Sequence, residues 1–161
     1  MKLFKNKNGF SFVELLVAIT ILAITIPSFF TFLNSQIYKT KLNIDMTNAL
    51  LLAENKLEFL LQEDYNSSDL SDTNTSNNSN LNTSINLNSI QNNETSYISS
   101  TFDHSDTPQI INNTKFYILW NIAESTTIKT TNKFKLIGVI IYWIYQGKGH
   151  KVYLMSIKRE E

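Results

Sequence analysis

Between Phe10 and Leu33 lie 24 residues in which Glu14 is the only charged side chain. A bilayer core about 30 Å thick is crossed by roughly 20 apolar residues at about 1.5 Å each, so this run is long enough to span with some tilt. No other feature constrains the fold as much, because the run needs either a large protein core or lipid around it. The remainder after Leu33 is 128 residues, enough for one small core and not for two. An acid inside such a run calls for a partner, since a charged carboxylate in hydrocarbon costs about 2.5 to 3.5 kcal/mol at mid-helix.

The flank before the run is basic, with Lys2, Lys5 and Lys7 and no acid. Excess lysine keeps that side of a first membrane helix cytoplasmic, which places the rest of the chain outside the inner membrane. Pro27-Ser28-Phe29-Phe30-Thr31-Phe32-Leu33 puts bulky aromatics where a signal-peptide cleavage site needs small residues, so removal after the run is not expected. Net charge is zero overall but unevenly spread. Leu42–Asp106 holds ten acids against Lys56, whereas Lys115–Glu161 holds eight basic residues against three acids. There is no polybasic tail, and nucleic acid is not a leading partner; a DNA-binding surface would reveal itself by steep salt dependence. The absence of cysteine excludes disulfides and thiolate metal sites.

Gly9-Phe10-Ser11-Phe12-Val13-Glu14, behind its basic flank, resembles the processing motif of type IV prepilins and type II secretion pseudopilins. Ser11-Phe12-Val13 stands where the family usually has Thr-Leu-Ile. The resemblance implies cleavage after Gly9 by prepilin peptidase and N-methylation of Phe10. Glu14 becomes the fifth residue of the mature chain, an assembly residue. Its carboxylate would lie about one helical turn from the new amine, and pairing between adjacent subunits would relieve both buried charges. The family further implies other pilin or pseudopilin subunits, an inner-membrane assembly platform and membrane lipid as partners. It implies a structural role rather than an enzymatic one, without cofactor or metal. Ala53-Glu54-Asn55-Lys56-Leu57-Glu58 is similar to the matching segment of PilV-type minor pilins and I-type minor pseudopilins. Three readings stay open: a minor pilin, a type II secretion pseudopilin, and a signal-anchored binding module.

Four segments follow: leader 1–9, membrane-spanning half-helix 10–33, amphipathic half-helix 34–63, and extracytoplasmic head 64–161. Pro27 removes one hydrogen bond at Ala23 and predicts a kink there. Beyond Leu33, Tyr38, Leu42, Met46, Leu50, Ala53, Leu57 and Leu61 recur at steps of three or four, opposite Lys39, Asn43, Asn55, Glu58 and Gln62. One helix of about 50 residues is expected, its apolar stripe against a sheet. Residues 65–100 are dominated by Asn, Ser and Thr and predict a long loop that buries little. The run from Asp72 fails the calcium-loop pattern, with Asn77 where glycine belongs and Thr83 where glutamate belongs. Asp103-His104-Ser105-Asp106 predicts a solvated turn rather than a triad, since triad members meet through the fold and not as sequence neighbours.

Alternation then predicts strands. Phe116, Ile118, Trp120 and Ile122 share one face of the first. Phe134–Tyr145 forms a second, apolar on both faces; Gln146–Gly149 supplies a hairpin turn, with His150 beside it read as a turn residue rather than a ligand, and Val152–Ile157 returns. A fourth strand is sought within 97–102 or near Ile128. Lys133, Lys135, Lys148, Lys151 and Lys158 sit at strand ends and turns, where charge guards sheet edges. The expected class is α+β, a long N-terminal helix packed on a C-terminal antiparallel sheet.

Overall fold

The structure, a computed structural model, describes residues 11–78, 80–124 and 133–160. The chain divides into two compact units, Met1–Lys41 and Leu42–Glu161. Helix α1, Phe12–Gln62, is 51 residues long and continues through Pro27. Two 3₁₀ turns, Ser68–Leu70 and Thr75–Asn77, lead to helix α2, Leu87–Thr101. Five strands follow: β1 His104–Ser105, β2 Gln109–Ile111, β3 Thr114–Glu124, β4 Phe134–Tyr145 and β5 Lys148–Arg159. All pairings are antiparallel, in the order β1-β3-β4-β5, with β2 also on β3. The α+β class expected from the sequence is the one observed.

Within the second unit the sheet is covered on both faces. One face presents Phe116, Ile118, Trp120 and Ile122 from β3 and Ile137, Val139, Ile141 and Trp143 from β4, all buried. Against them pack Leu42, Ala49, Leu52, Ala53, Leu57, Leu60 and Leu61 of α1. The predicted helical stripe is rotated in the structure. Asp45, Ala49, Ala53 and Leu60 are buried, whereas Met46 is 56 % and Leu50 39 % exposed. Small side chains on the inner line let the helix lie close to a sheet that carries two tryptophans, and the Asp45 carboxylate accepts from Thr114 Oγ1 at 3.1 Å.

The opposite face carries Tyr117, Leu119, Ile140 and Tyr142, and Ile90, Ile98 and Phe102 cover it from α2 and its end. This corrects the expectation of a long loop, and the strand sought within 97–102 is helix up to Thr101. Ile90, Ile98 and Phe102 fall at offsets of eight and four, one face of a helix, a spacing masked by the polar residues between them. The Asn86 side chain accepts from Ser89 N at 3.3 Å as an N-cap. Ile128 lies outside the described residues.

The β4–β5 hairpin turns at Gln146-Gly147, with φ of 49° and 72°, the positive pair that a two-residue turn with the twist of the strands requires. His150 therefore belongs to β5 and stacks on Trp143, ring centroids 5.5 Å apart. A second tight turn, Asn112-Asn113 with φ of 49° and 65°, joins β2 to β3. Gly138 is required by packing, because a Cβ there would approach Leu81 Cβ to 2.8 Å.

Candidate functional site

Two places in the chain were candidates for function, the processing motif and the polar run around Asp103. At the first, Gly9 and Phe10 lie outside the described residues, and Glu14 is an exposed residue in the first turn of α1. The helix opens with Leu15 N bonded to Ser11 O at 3.1 Å. Every side chain from Ser11 to Ile37 is exposed, including Phe12 at 75 % and Ile24 at 67 %. That is an uncovered apolar helix, long and apolar enough to cross a membrane. Its hydroxyls return to its own backbone: Thr20 Oγ1 donates to Leu16 O at 2.8 Å, Ser28 Oγ to Ile24 O at 3.0 Å and Thr31 Oγ1 to Ser28 O at 2.8 Å. Polar groups satisfied this way carry little penalty in hydrocarbon, where no water replaces a lost partner. Glu14 is the charge left on this surface.

The second candidate is a structural knot. Asp103 Oδ1 accepts from Thr73 N at 3.0 Å and Asn74 N at 2.5 Å, while Oδ2 accepts from Ile122 N at 2.7 Å. One carboxylate thus fastens the Asn/Ser/Thr-rich segment to β3. Asn121, fully buried on β3, donates to Leu81 O at 2.9 Å and Thr83 Oγ1 at 3.0 Å, and its Oδ1 accepts from Asn77 Nδ2 at 3.0 Å. The solvated turn expected at 103–106 is corrected accordingly. His104 stacks on Trp120 at 5.4 Å and its Nε2 donates to Ser71 O at 2.7 Å. Asp106 pairs with Lys56 at 2.9 Å, and that ammonium lies 3.9 Å from the Trp120 ring centre. Ser71 Oγ lies 3.4 Å from His104 Nε2, but its hydroxyl donates to Ser68 O at 2.7 Å and the ring nitrogen is engaged by Ser71 O, so the serine is not set up as a nucleophile. No group of three metal-ligating residues occurs among the described residues.

Edge protection by lysine is also corrected in part. Lys135 is buried on β4, where its Nζ donates to Tyr65 O at 2.9 Å and Leu70 O at 2.8 Å and pairs with Glu124 at 3.0 Å. Lys158 Nζ donates to Leu61 O, at the end of α1, at 2.6 Å. Lys151 reaches Asn82 Oδ1 at 2.7 Å. These lysines act as clamps between the sheet and the elements before it. Asp103, Asn121 and Lys135 were missed as such, because the contacts that define them span many residues in sequence.

Residues 4–26 match the family model of the prokaryotic N-terminal methylation motif. The match takes in Gly9, Phe10 and Glu14 and the apolar run as far as Ile26. It supports a pilin-like protein anchored in a membrane by α1. No curated protein and no solved structure matches the chain.

Proposed function

We propose that the chain is a minor pilin-like structural subunit, which prepilin peptidase cleaves after Gly9 and methylates at Phe10. The methylation motif at residues 4–26 carries this reading, because it sits directly upstream of and across the start of α1. In this reading residues 10–33 span the inner membrane, the basic leader 1–9 is cytoplasmic, and the head from residue 64 is extracytoplasmic. Glu14 pairs with the methylated amine of Phe10 on an adjacent subunit, which brings the chain into or primes a type IV pilus. The assembly platform and other pilin subunits are its partners. The Ala53–Glu58 segment, similar to minor pilins and I-type minor pseudopilins alike, favours a minor subunit over a major pilin. Within it Ala53 is fully buried and Lys56 holds Asp106, so those two residues serve the head.

Intact mass of the protein from cells with and without the peptidase tests the proposal. A species beginning at methylated Phe10, present only with the peptidase, is the expected result. Full-length protein in both would leave an anchored binding module. Glu14→Ala should be processed normally yet fail to enter filaments; incorporation at the wild-type level would refute the pairing.

A further inference from the structure

Strand β5 ends the sheet, and among the described residues no strand pairs with its outer side. It is twelve residues long, about 40 Å of open edge at roughly 3.3 Å per residue. An edge of that length is ordinarily guarded by charge, proline or a bulge, because its free N–H and C=O groups recruit other strands. Here the two lysines that flank the middle of the strand are drawn onto the chain itself, Lys151 to Asn82 Oδ1 and Thr83 O and Lys158 to Leu61 O. Between them lies Val152-Tyr153-Leu154-Met155-Ser156-Ile157, with no charge, proline or glycine. Such a six-residue window has the composition that favours strand pairing. Met155 and Ile157 are 57 % and 54 % exposed, on the face they share with Tyr153.

Charge decides what the edge accepts. Strand β5 carries Lys148, Lys151, Lys158 and Arg159 and no acid. A second copy laid antiparallel about its centre would set Lys148 against Arg159 at both ends; slipped by one residue it would bring Glu160 opposite Lys148, but that carboxylate already pairs with Lys133 at 3.5 Å. Like charges facing across strands disfavour pairing. Lys148 and Arg159, unlike Lys151 and Lys158, have no ion-pair or hydrogen-bond partner among the described residues. We infer that β5 is a docking edge for an extended strand of a different protein, uncharged and apolar in its middle and acidic at both ends. Backbone hydrogen bonds would supply affinity, contacts with Met155 and Ile157 the register, and the two end cations the orientation and selectivity.

The inference stands apart from the processing reading, since neither Gly9 nor Glu14 enters it. The full chain in detergent micelles is titrated with a synthetic peptide of alternating valine and threonine with two glutamates at each end. Saturable binding is expected, with slowed amide exchange along β5 and binding weakened at least tenfold by Met155→Lys, which restores a guard to the edge. Exchange elsewhere in the sheet should be unchanged in that variant, which verifies its fold. A control peptide with lysines in place of the glutamates should bind at least tenfold more weakly. Absence of binding, equal binding of the two peptides, insensitivity to Met155→Lys, or β5-dependent self-association in place of peptide binding would each overturn it.

Discussion

The two faces of the central sheet are buried to the same degree by different means. On the α1 face, aliphatic and tryptophan side chains meet a helix whose inner line is largely alanine and leucine. On the α2 face, Ile140 and its neighbours are covered by a short helix from a segment composed mainly of polar residues, and side-chain hydrogen bonds at Asp103 and Asn121 tie the chain before that helix to β3. The first cover is specified by hydrophobic periodicity, which is local. The second depends on a few polar residues that reach across the fold. A face can therefore be a full core even when its cover looks like linker, provided each buried polar group has a partner.

Matched truncations test that equivalence most severely. Ile140 and Ile141 are adjacent in β4, both fully buried, and point to opposite faces. Ile141→Ala and Ile140→Ala should each lower unfolding free energy by about 2–5 kcal/mol, the range for a large aliphatic side chain in a packed core. Urea denaturation of the two variants measures it. A cost for Ile140→Ala below about 1 kcal/mol would mean that the α2 face is covered only loosely.

Asp103→Ala probes how that cover is attached. The substitution strands Ile122 N, Thr73 N and Asn74 N. With about 1–3 kcal/mol for each donor left buried, and less where water can enter, a loss of roughly 2–4 kcal/mol is expected. Amide exchange should rise first in residues 72–101, and before the α1 face responds. Uniform acceleration over both faces would show the two covers to be one cooperative unit.

The same contrast explains what was legible in the sequence. Strand β4 alternates apolar residues over twelve positions, and its faces followed from parity alone. The helix stripe was found with its phase off, because Met46 and Leu50 are more apolar than the Asp45 and Ala49 that are buried in their place. Hydropathy ranks side chains one at a time, whereas the sheet selects small ones for close approach and accepts an aspartate that finds Thr114. Helix α2 was illegible for a related reason. Its few apolar residues are spread thinly, and their role appears only once β3 and β4 present a surface to them. At the N-terminus the motif was readable from residue order, since the match at residues 4–26 is to a linear sequence and no tertiary contact intervenes. Gly9, Phe10 and Glu14 were assigned from order alone, whereas Asp103 needed Ile122 beside it.

Alkaline pH distinguishes the faces by the smallest margin. Tyr117, Tyr142 and Tyr153 lie in or against the α2-side core, and burial raises each phenol above its ordinary value of 10.0. A folded-state pKa above the unfolded one adds stability that is complete below about pH 10 and is lost as pH rises through the raised value. The Lys115 ammonium, raised chiefly by its hydrogen bond to Glu94, acts in the same direction. Stability should therefore be flat in these groups up to about pH 10 and fall above it, with α2-side amides exposed first. Tyr142 isolates one contribution, because its hydroxyl is buried without a hydrogen-bond partner. Removing an unpaired buried hydroxyl costs nothing in hydrogen bonding, so Tyr142→Phe should leave stability at pH 7 unchanged or raise it by up to about 1 kcal/mol. It should also reduce the fall between pH 10 and 11. Urea midpoints at pH 7 and pH 11 for both proteins measure the two effects together. A variant less stable at pH 7 would show that the hydroxyl is bound, by water or by a rotated neighbour.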